Sequence, residues 1–559
     1  MKQIITIALL LIGLSAYAAE VPSATFSYFS YEGNDDYYNN HPLNKTDEFY
    51  NPILPGFYSD PSICRVDNDY WLVTSTFCYY PGVPLFHSTD LVNWEQVGNV
   101  LSRPSQLPHL HGQTIGTGGI YAPTIRYNER NRTYYMITTD VGKEAGHFYV
   151  TTKDPRGEWS DPVWLKDIDG IDPSFFFDDN GEAYIIYKEN TDGQPKWSNH
   201  RAIRIIRFDV EKGTTVGESV KFNEEGVGPE EHLGRDEGPH LFKVNGKYYV
   251  ICAEGGTSDF HSEVVYKADN VFGPYQRWGR NPMLTQRLMK RNRTNPITCT
   301  GHVDMVQKPD GQWWAVFLGM RPLDGKTESM GRETYLMPVK WSKDGFPYIT
   351  QEKDSIPLVQ QMPGITRNAN VTYGNVKVKE NFCIKNKMQR DHYRLAPYWM
   401  SLRGSIDTLC TITADGLRLN ASAQKTTGKG TPAFLGRRIQ NQKFTVETSL
   451  STHLQDKSLA GILIFKTEQR QYFLATDGKK VMLQRIGKGY DTIAEALLPR
   501  DCSTIDMRIV NHGLTYDFLY RAKDADVWQT LAKDIDATYT SSSSGGFCGT
   551  TVGMYCEMR

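Results

Sequence analysis

The sequence predicts an all-β protein, a five-bladed β-propeller followed by a β-sandwich. Three observations predict it. A unit of strand, tight turn and aromatic-rich strand recurs five times within the first 350 residues. No helical periodicity of useful length interrupts that region. Beyond about residue 375 the pattern changes to short alternating runs of the kind that build antiparallel sandwiches.

The first unit reads Asp60-Pro-Ser-Ile, a turn at Asp67-Asn68-Asp69, then Tyr70-Trp71-Leu72-Val73. The second reads Ala122-Pro-Thr-Ile, a turn near Asn128 to Arg132, then Tyr134-Tyr135-Met136-Ile137. Asp172-Pro-Ser-Phe, Asp178-Asp179-Asn180-Gly181 and Tyr184-Ile185-Ile186-Tyr187 form the third. Gly238-Pro-His-Leu, Asn245-Gly246 and Tyr248-Tyr249-Val250-Ile251 form the fourth. His302-Val-Asp-Met, Asp310-Gly311 and Trp313-Trp314-Ala315-Val316-Phe317 form the fifth. Each is a hairpin, because Asn, Asp and Gly supply the turn between two strand-forming runs. In most units a third strand follows and ends near an aromatic, as in Phe86 to Trp94 and Val264 to Tyr275. Successive unit starts lie 62, 50, 66 and 64 residues apart, a spacing that suits propeller blades better than one sandwich.

The flanking segments complete the layout. Residues 1–19 carry Lys2, an apolar run from Ile4 to Leu14 and a small-residue stretch ending at Ala18-Ala19, the pattern of an export signal too short to span a bilayer. The mature chain is therefore expected in the periplasm or outside the cell, with no membrane span. Residues 20–50, rich in Tyr and Asn, read as a loosely ordered N-terminal arm. The propeller is expected over 51–350, a linker with Pro357, Pro363 and Gly364 over 351–375, and the sandwich over 376–559. Nine cysteines without a CxxC pair argue against structural zinc and leave at least one thiol outside any pairing within the chain. A net charge of −2 argues against nucleic acid as a partner. An aromatic content of 12% suits stacking on sugars, although β-rich proteins favour the same residues for packing.

The repeat also predicts the site. The first strand of each blade lines the central channel, so residues at its start converge on one face. Those residues are Asp60, Ala122, Asp172, the Glu237-Gly238 pair and His302. Any one of them alone is more economically read as a turn former or a packed side chain, and Asp236 competes with Glu237. Three carboxylic acids and a histidine arriving from four blades are another matter. Cleavage of a glycosidic bond needs one carboxylic acid to protonate the leaving oxygen and one carboxylate to activate water or attack carbon. A third acid can orient the proton donor and raise its pKa by repulsion.

The same residues carry a family resemblance. Asn51-Pro-Ile-Leu-Pro-Gly-Phe-Tyr-Ser-Asp60-Pro-Ser-Ile, Gly170-Ile-Asp172-Pro-Ser, Glu237-Gly-Pro-His, Ala253-Glu-Gly-Gly-Thr257, Gly301-His302 and Gly331-Arg332-Glu333-Thr334 resemble glycoside hydrolase family 43 along nearly the whole chain. The resemblance implies a concanavalin-like sandwich at the C-terminus, as in the family's β-xylosidases. It implies Asp60 as general base, Glu237 as general acid and Asp172 as the residue that tunes the acid, in an inverting mechanism. It implies substrate contacts by Phe77, Tyr121, His302 and Arg332, with Phe547 of Ser544-Gly-Gly-Phe547-Cys-Gly-Thr550 reaching the pocket from the sandwich. No cofactor is implied beyond a calcium ion that some members hold near the histidine. Ser59, Tyr121 and Cys78-Tyr79-Tyr80 depart from the usual pattern and leave the sugar open.

The expected activity is removal of terminal xylose or arabinofuranose from plant cell-wall fragments such as xylan, arabinoxylan or arabinan. Galactan is the alternative glycan. A sugar-binding propeller without catalysis would keep the aromatics but would not need three acids. His302 and Asp304 are too sparse for a catalytic metal cluster.

Overall fold

The computed structural model describes residues 21–44, 46–143, 145–190, 201–223, 236–351, 353–368, 371–454, 458–522 and 525–559. The export signal expected at 1–19 lies outside them. Strands dominate throughout, with two short α-helices at Asp36–Asn40 and Lys387–His392 among the described residues.

Each of the five predicted units is an antiparallel sheet whose strands lie side by side in chain order. The first sheet runs Ser62–Val66, Asp69–Val73, Gly82–Ser88, Glu95–Leu101; the second Thr124–Asn128, Thr133–Asp140, Gly146–Thr152, Val163–Trp164. The third runs Ile171–Phe177, Ala183–Asn190, Arg201–Asp209, Thr214–Asn223. The fourth begins Glu237–Val244, Lys247–Glu254, Ser262–Ala268, and the fifth is Thr298–Gln307, Trp313–Met320, Glu333–Pro338. The turns obey local chemistry. Asn245 and Gly246 take φ of 50° and 75° between the paired Val244 and Lys247, the two left-handed residues a tight hairpin needs.

The first strand of each sheet packs beside the first strand of the next, and that of the fifth beside that of the first. A buried knot holds these inner strands together. Asp304, on the fifth sheet, accepts from Ser62 Oγ at 2.7 Å, from the Ile63 amide at 2.9 Å and from both terminal nitrogens of Arg126 at 2.8 and 3.0 Å. On the outer side of the fifth sheet, Leu54 bridges Thr334 and the Asn51 side-chain amide pairs both ways with the Leu336 backbone at 2.9 Å. The chain ahead of the first sheet thus covers an edge that would otherwise be open.

The second half is two packed sheets. One has the order Cys410–Ile412, Leu417–Asn420, Ser23–Gly33, Phe444–Ser451, Thr504–Asn511, Thr515–Ala522, Gln529–Asp536, with Lys377–Asn381 also on Ser23–Gly33. The other is Phe434–Arg438, Thr551–Met558, Ser458–Thr467, Arg470–Thr476, Lys480–Ile486, Tyr490–Leu497. Phe26, Phe29, Val446 and Ile509 meet Ile462, Leu474, Leu483 and Met554 between them.

Two expectations are corrected here. Residues 20–50 are not a loose arm, because Ser23–Gly33 is an 11-residue strand inside the sandwich with Phe26, Phe29 and Tyr31 buried. Its alternation is broken by a bulge between Phe26 and Tyr28, which disguises the strand in the sequence. Within 351–375, Val359–Thr366 is also a strand, paired with Thr46–Tyr50. All nine cysteines are free thiols. No helix among the described residues is long and apolar enough to cross a membrane.

Phe29 lies edge-on to Trp399, with centroids 4.9 Å apart, at the centre of this core. Phe29→Ala is expected to cost about 3–5 kcal/mol and to lower the thermal midpoint of the protein. Unchanged melting by calorimetry would show that the N-terminal strand is dispensable.

Candidate active site

The polar side chains of the site start from a shared irregularity. Ile171 pairs with Lys188, but the next partners are Ser174 and Ile186, so the inner strand carries one extra residue. The same slip separates Glu237–Ala253 from His240–Ile251, and Gly301–Leu318 from Asp304–Val316. In the first sheet Ser75 N donates to Ser59 O at 3.0 Å while Ser62 pairs with Val73, which is the same count. At each bulge one residue turns left-handed: Asp60 (φ 55°), Asp172 (57°), Gly238 (57°) and His302 (54°). Bulges re-aim side chains in this way. The second sheet slips likewise, between Tyr121–Thr139 and Thr124–Ile137, but Ala122 is not left-handed.

Gly238 is a required glycine, since a Cβ there would lie 2.7 Å from Cε1 of the His302 ring. Its amide donates to Asp172 Oδ2 at 3.1 Å. Glu237, one residue earlier, lines the site cavity, as do Tyr121 and Ile171 at the same position of their sheets.

One cavity of about 140 Å³ is lined by all eight side chains expected from the sequence: Asp60, Phe77, Tyr121, Asp172, Glu237, His302, Arg332 and Phe547. That is smaller than the roughly 300–1,000 Å³ of pockets for drug-sized ligands. Phe77, Tyr121 and Phe547 form an aromatic wall. Phe77 stacks on Phe547 at 5.9 Å, and Tyr121 meets them edge-on at 5.7 and 6.1 Å. Phe547 arrives from the sandwich, where its amide donates to Gly116 O at 2.8 Å, and Arg332 lies over its ring at 5.1 Å. Asp236 is not in the cavity; it is buried against Tyr266, whose hydroxyl donates to it at 3.3 Å.

The three carboxyl groups have different surroundings. Asp60 accepts from Ser75 Oγ at 2.5 Å, with Arg332 Nη1 at 3.3 Å and His302 Nδ1 at 3.6 Å from its other oxygen. Burial alone would raise its pKa, but Arg332, His302 and Ser75 outweigh that and hold it below the ordinary value. Asp172 is pushed up to about 6, by burial first and then by the charges of Glu237 and Asp60, against the pull of His302 and Lys188. Glu237 is held low, because an ion pair with Lys188 Nζ at 2.7 Å, helped by His261 and His302, exceeds the effect of burial. The three groups therefore do not ionise alike.

Lys188, His261, Ser75 and Thr257 were missed as site residues. Lys188 and Ser75 occupy one position in the repeat, the second-strand partner of the residue before the bulge. Aligning the second strands of the units, as was done for the first strands, would have flagged them. His261 has Nδ1 at 3.0 Å from Cys299 O, and burial lowers its pKa to about 4.

Among the described residues no three His, Cys, Asp or Glu side chains stand where a metal could be held. The positive charge beside Asp60 comes from Arg332.

Because its folded pKa is raised, the stability that Asp172 contributes is full below its usual 3.8 and is lost as pH rises through about 6. Asp172→Asn is expected to be more stable than the parent at pH 8, by on the order of 1–3 kcal/mol, with the difference vanishing near pH 4. Melting curves at the two pH values check this, and an equal loss at both would contradict it.

Residues 49–347 match the family model described as Glycosyl hydrolases family 43, and residues 390–558 match that of the Beta xylosidase C-terminal Concanavalin A-like domain. The "Xylosidase/arabinosidase" of Butyrivibrio fibrisolvens is 36% identical over 521 residues, which are 91% of this chain and 95% of that protein. The "Non-reducing end alpha-L-arabinofuranosidase BoGH43B" of Bacteroides ovatus is 34% identical over 522 residues, 91% of each chain. A solved structure of a GH43_12 from capybara gut metagenome superposes with a TM-score of 0.87 at 38% identity, covering 96% of this chain and 100% of that one.

Proposed function

The chain belongs to glycosyl hydrolases family 43 and is a glycoside hydrolase, and on that premise we propose that it removes terminal xylose or arabinofuranose from xylan, arabinoxylan or arabinan fragments with inversion. The observation that carries this is one small cavity holding three carboxyl groups with unlike ionisation. Asp60, kept ionised by Arg332 and His302, is the general base that takes a proton from the attacking water. Glu237 is the general acid that gives a proton to the leaving oxygen. Asp172 orients Glu237, through the Gly238 amide, and repels its negative charge. An inverting pair stands about 6.5–9.5 Å apart, leaving room for that water.

Several features support the finer reading. The five sheets with neighbouring inner strands support a five-bladed propeller closed between its first and fifth blades. The small cavity, walled by Phe547, favours single terminal sugars over internal cuts. Among the described residues buried Arg332 has no hydrogen-bond partner for its Nε, and it is suited to binding sugar hydroxyls. The relatives' names include both xylosidase and arabinofuranosidase. We read residues 1–19 as an export signal and the mature enzyme as periplasmic or extracellular. The chemistry needs no metal. A binding protein without catalysis is disfavoured, because crowding three acids costs stability that binding would not require.

The test uses arylglycosides and defined oligosaccharides of xylose and arabinofuranose. The parent is expected to release 4-nitrophenol, and Glu237→Gln to lose about 10²–10⁴-fold on a natural oligosaccharide but less on the aryl substrate. A parent inert on every pentoside, or a variant as fast as the parent, would overturn the proposal. Proton NMR is expected to show the opposite anomer first, and EDTA to leave the rate unchanged. Retention of configuration would refute the single-step mechanism.

A further inference from the structure

Lys188 lies two residues from the end of the second strand of the third sheet, opposite Ile171. Its ammonium and the Glu237 carboxylate are 2.7 Å apart, with side chains only 11% and 17% exposed. A second cavity of about 420 Å³ adjoins the sugar cavity. The two share Ile171, Glu237 and Thr257, while Lys188 and Asn190 line only the second. Glu237, with Ile171 and Thr257, therefore forms the boundary between them. If it protonates the leaving oxygen, the outer cavity receives the leaving sugar, on the side where Lys188 stands.

That arrangement sets a problem. An acid paired with an ammonium at this distance is a carboxylate, the wrong form for donating a proton. The other charged or titratable groups facing Glu237 do not relieve it. His261 and His302 also favour its ionised form, whereas Asp172 opposes it. Asp236 is turned toward Tyr266, Asp60 lies across the sugar cavity with Arg332, and Asp169, Glu189 and Arg201 line the outer cavity, where Glu189 pairs with Arg204 at 3.0 Å. The Lys188 contact must loosen before the acid can act. A lysine can do this, as a point charge on a flexible stem with three donors.

We propose that Lys188 is a positioning residue that couples filling of the outer cavity to arming of the acid. In the empty enzyme its ammonium keeps Glu237 ionised and leaves the one proton of the Asp172–Glu237 pair on Asp172. Hydroxyls of the leaving sugar accept hydrogen bonds from the ammonium and draw it away. The proton then settles on Glu237, from which it passes to the glycosidic oxygen as the bond breaks. The enzyme is thereby protected from arming on substrates that leave the outer cavity empty. This inference rests on the assignment of Glu237 as the acid.

The test compares pH profiles on a disaccharide and on the methyl glycoside of whichever pentose the parent releases. The profile of kcat/KM reports the free enzyme and that of kcat the bound complex. For the parent on the disaccharide, the alkaline limb of kcat is expected at higher pH than that of kcat/KM; on the methyl glycoside the two coincide. In Lys188→Met the kcat/KM limb moves up by about 1 pH unit and the gap closes. Lys188→Arg, whose planar fork grips a carboxylate more firmly, keeps the limb at or below the parent position, and decides the matter if the methionine variant does not fold. Parent limbs that coincide on both substrates, or a Lys188→Met profile superimposable on the parent, would overturn the coupling. An inactive Glu237→Gln beside an unshifted Lys188→Met sinks only the coupling, whereas a fully active Glu237→Gln sinks the assignment of the acid beneath it.

Discussion

Asp60, Asp172, Gly238 and His302 each sit at the extra residue of an inner-strand bulge, in a left-handed conformation that ordinary residues avoid. Gly238 adopts it freely, whereas for Asp60, Asp172 and His302 such a conformation costs on the order of 1–3 kcal/mol and persists only where surrounding structure over-determines it. Here it does. The proline after three of the four, the strand pairing on both sides and the buried Asp304–Arg126–Ser62 knot below leave the backbone little choice. The consequence is functional geometry. A regular strand would send alternate side chains to opposite faces of its sheet, whereas the bulges of the first, third and fifth sheets turn Asp60, Asp172 and His302 toward one cavity. The same device explains why the fourth sheet differs. Its left-handed residue is Gly238, pressed against the His302 ring, so the acidic side chain comes from the preceding position.

The sandwich is part of this site. Phe547 completes the aromatic wall, and its loop approaches so closely that side chains are excluded. A Cβ on Gly331 would lie 2.7 Å from the Gly549 amide, and one on Gly116 2.9 Å from Gly546 Cα. Arg438, buried, lies over Phe57 and Tyr58 at 4.4 and 4.2 Å and donates to Phe57 O at 2.7 Å, just ahead of Asp60. Tyr79–Tyr80 pairs with Ser401–Leu402 across the same boundary. The two halves are thus joined at the rim of the cavity, and the strand Ser23–Gly33 ties the N-terminus into the second half as well.

Much of this was legible from residues alone, because the repeat marks equivalent positions. Once the five hairpins were aligned, Asp60, Asp172, Glu237 and His302 could be read off; the family resemblance added Phe77, Tyr121, Arg332 and Phe547, and all eight line one cavity. What escaped the reading escaped for physical reasons. Lys188 looks like an ordinary strand-end lysine until its partner Glu237, distant in sequence, is placed beside it. His261 follows a loop and carries no periodic signal. The strand Ser23–Gly33 was hidden by its polar, tyrosine-rich composition and by a bulge that shifts its alternation. Tertiary partners hundreds of residues away, such as Leu417 and Phe444, decide that it is a strand.

The proposed reaction requires the bulges to deliver Asp60 and Glu237 to opposite sides of a sugar held between Phe77, Phe547 and Arg332. A crystal structure of Glu237→Gln soaked with a pentose oligosaccharide examines this directly. The terminal ring is expected inside the cavity, with a water between Asp60 and the anomeric carbon. The substituted amide is expected within hydrogen-bond reach of the glycosidic oxygen, with Lys188 turned toward the next sugar. A terminal ring bound elsewhere, or both carboxyl positions on the same side of it, would contradict the proposed reaction.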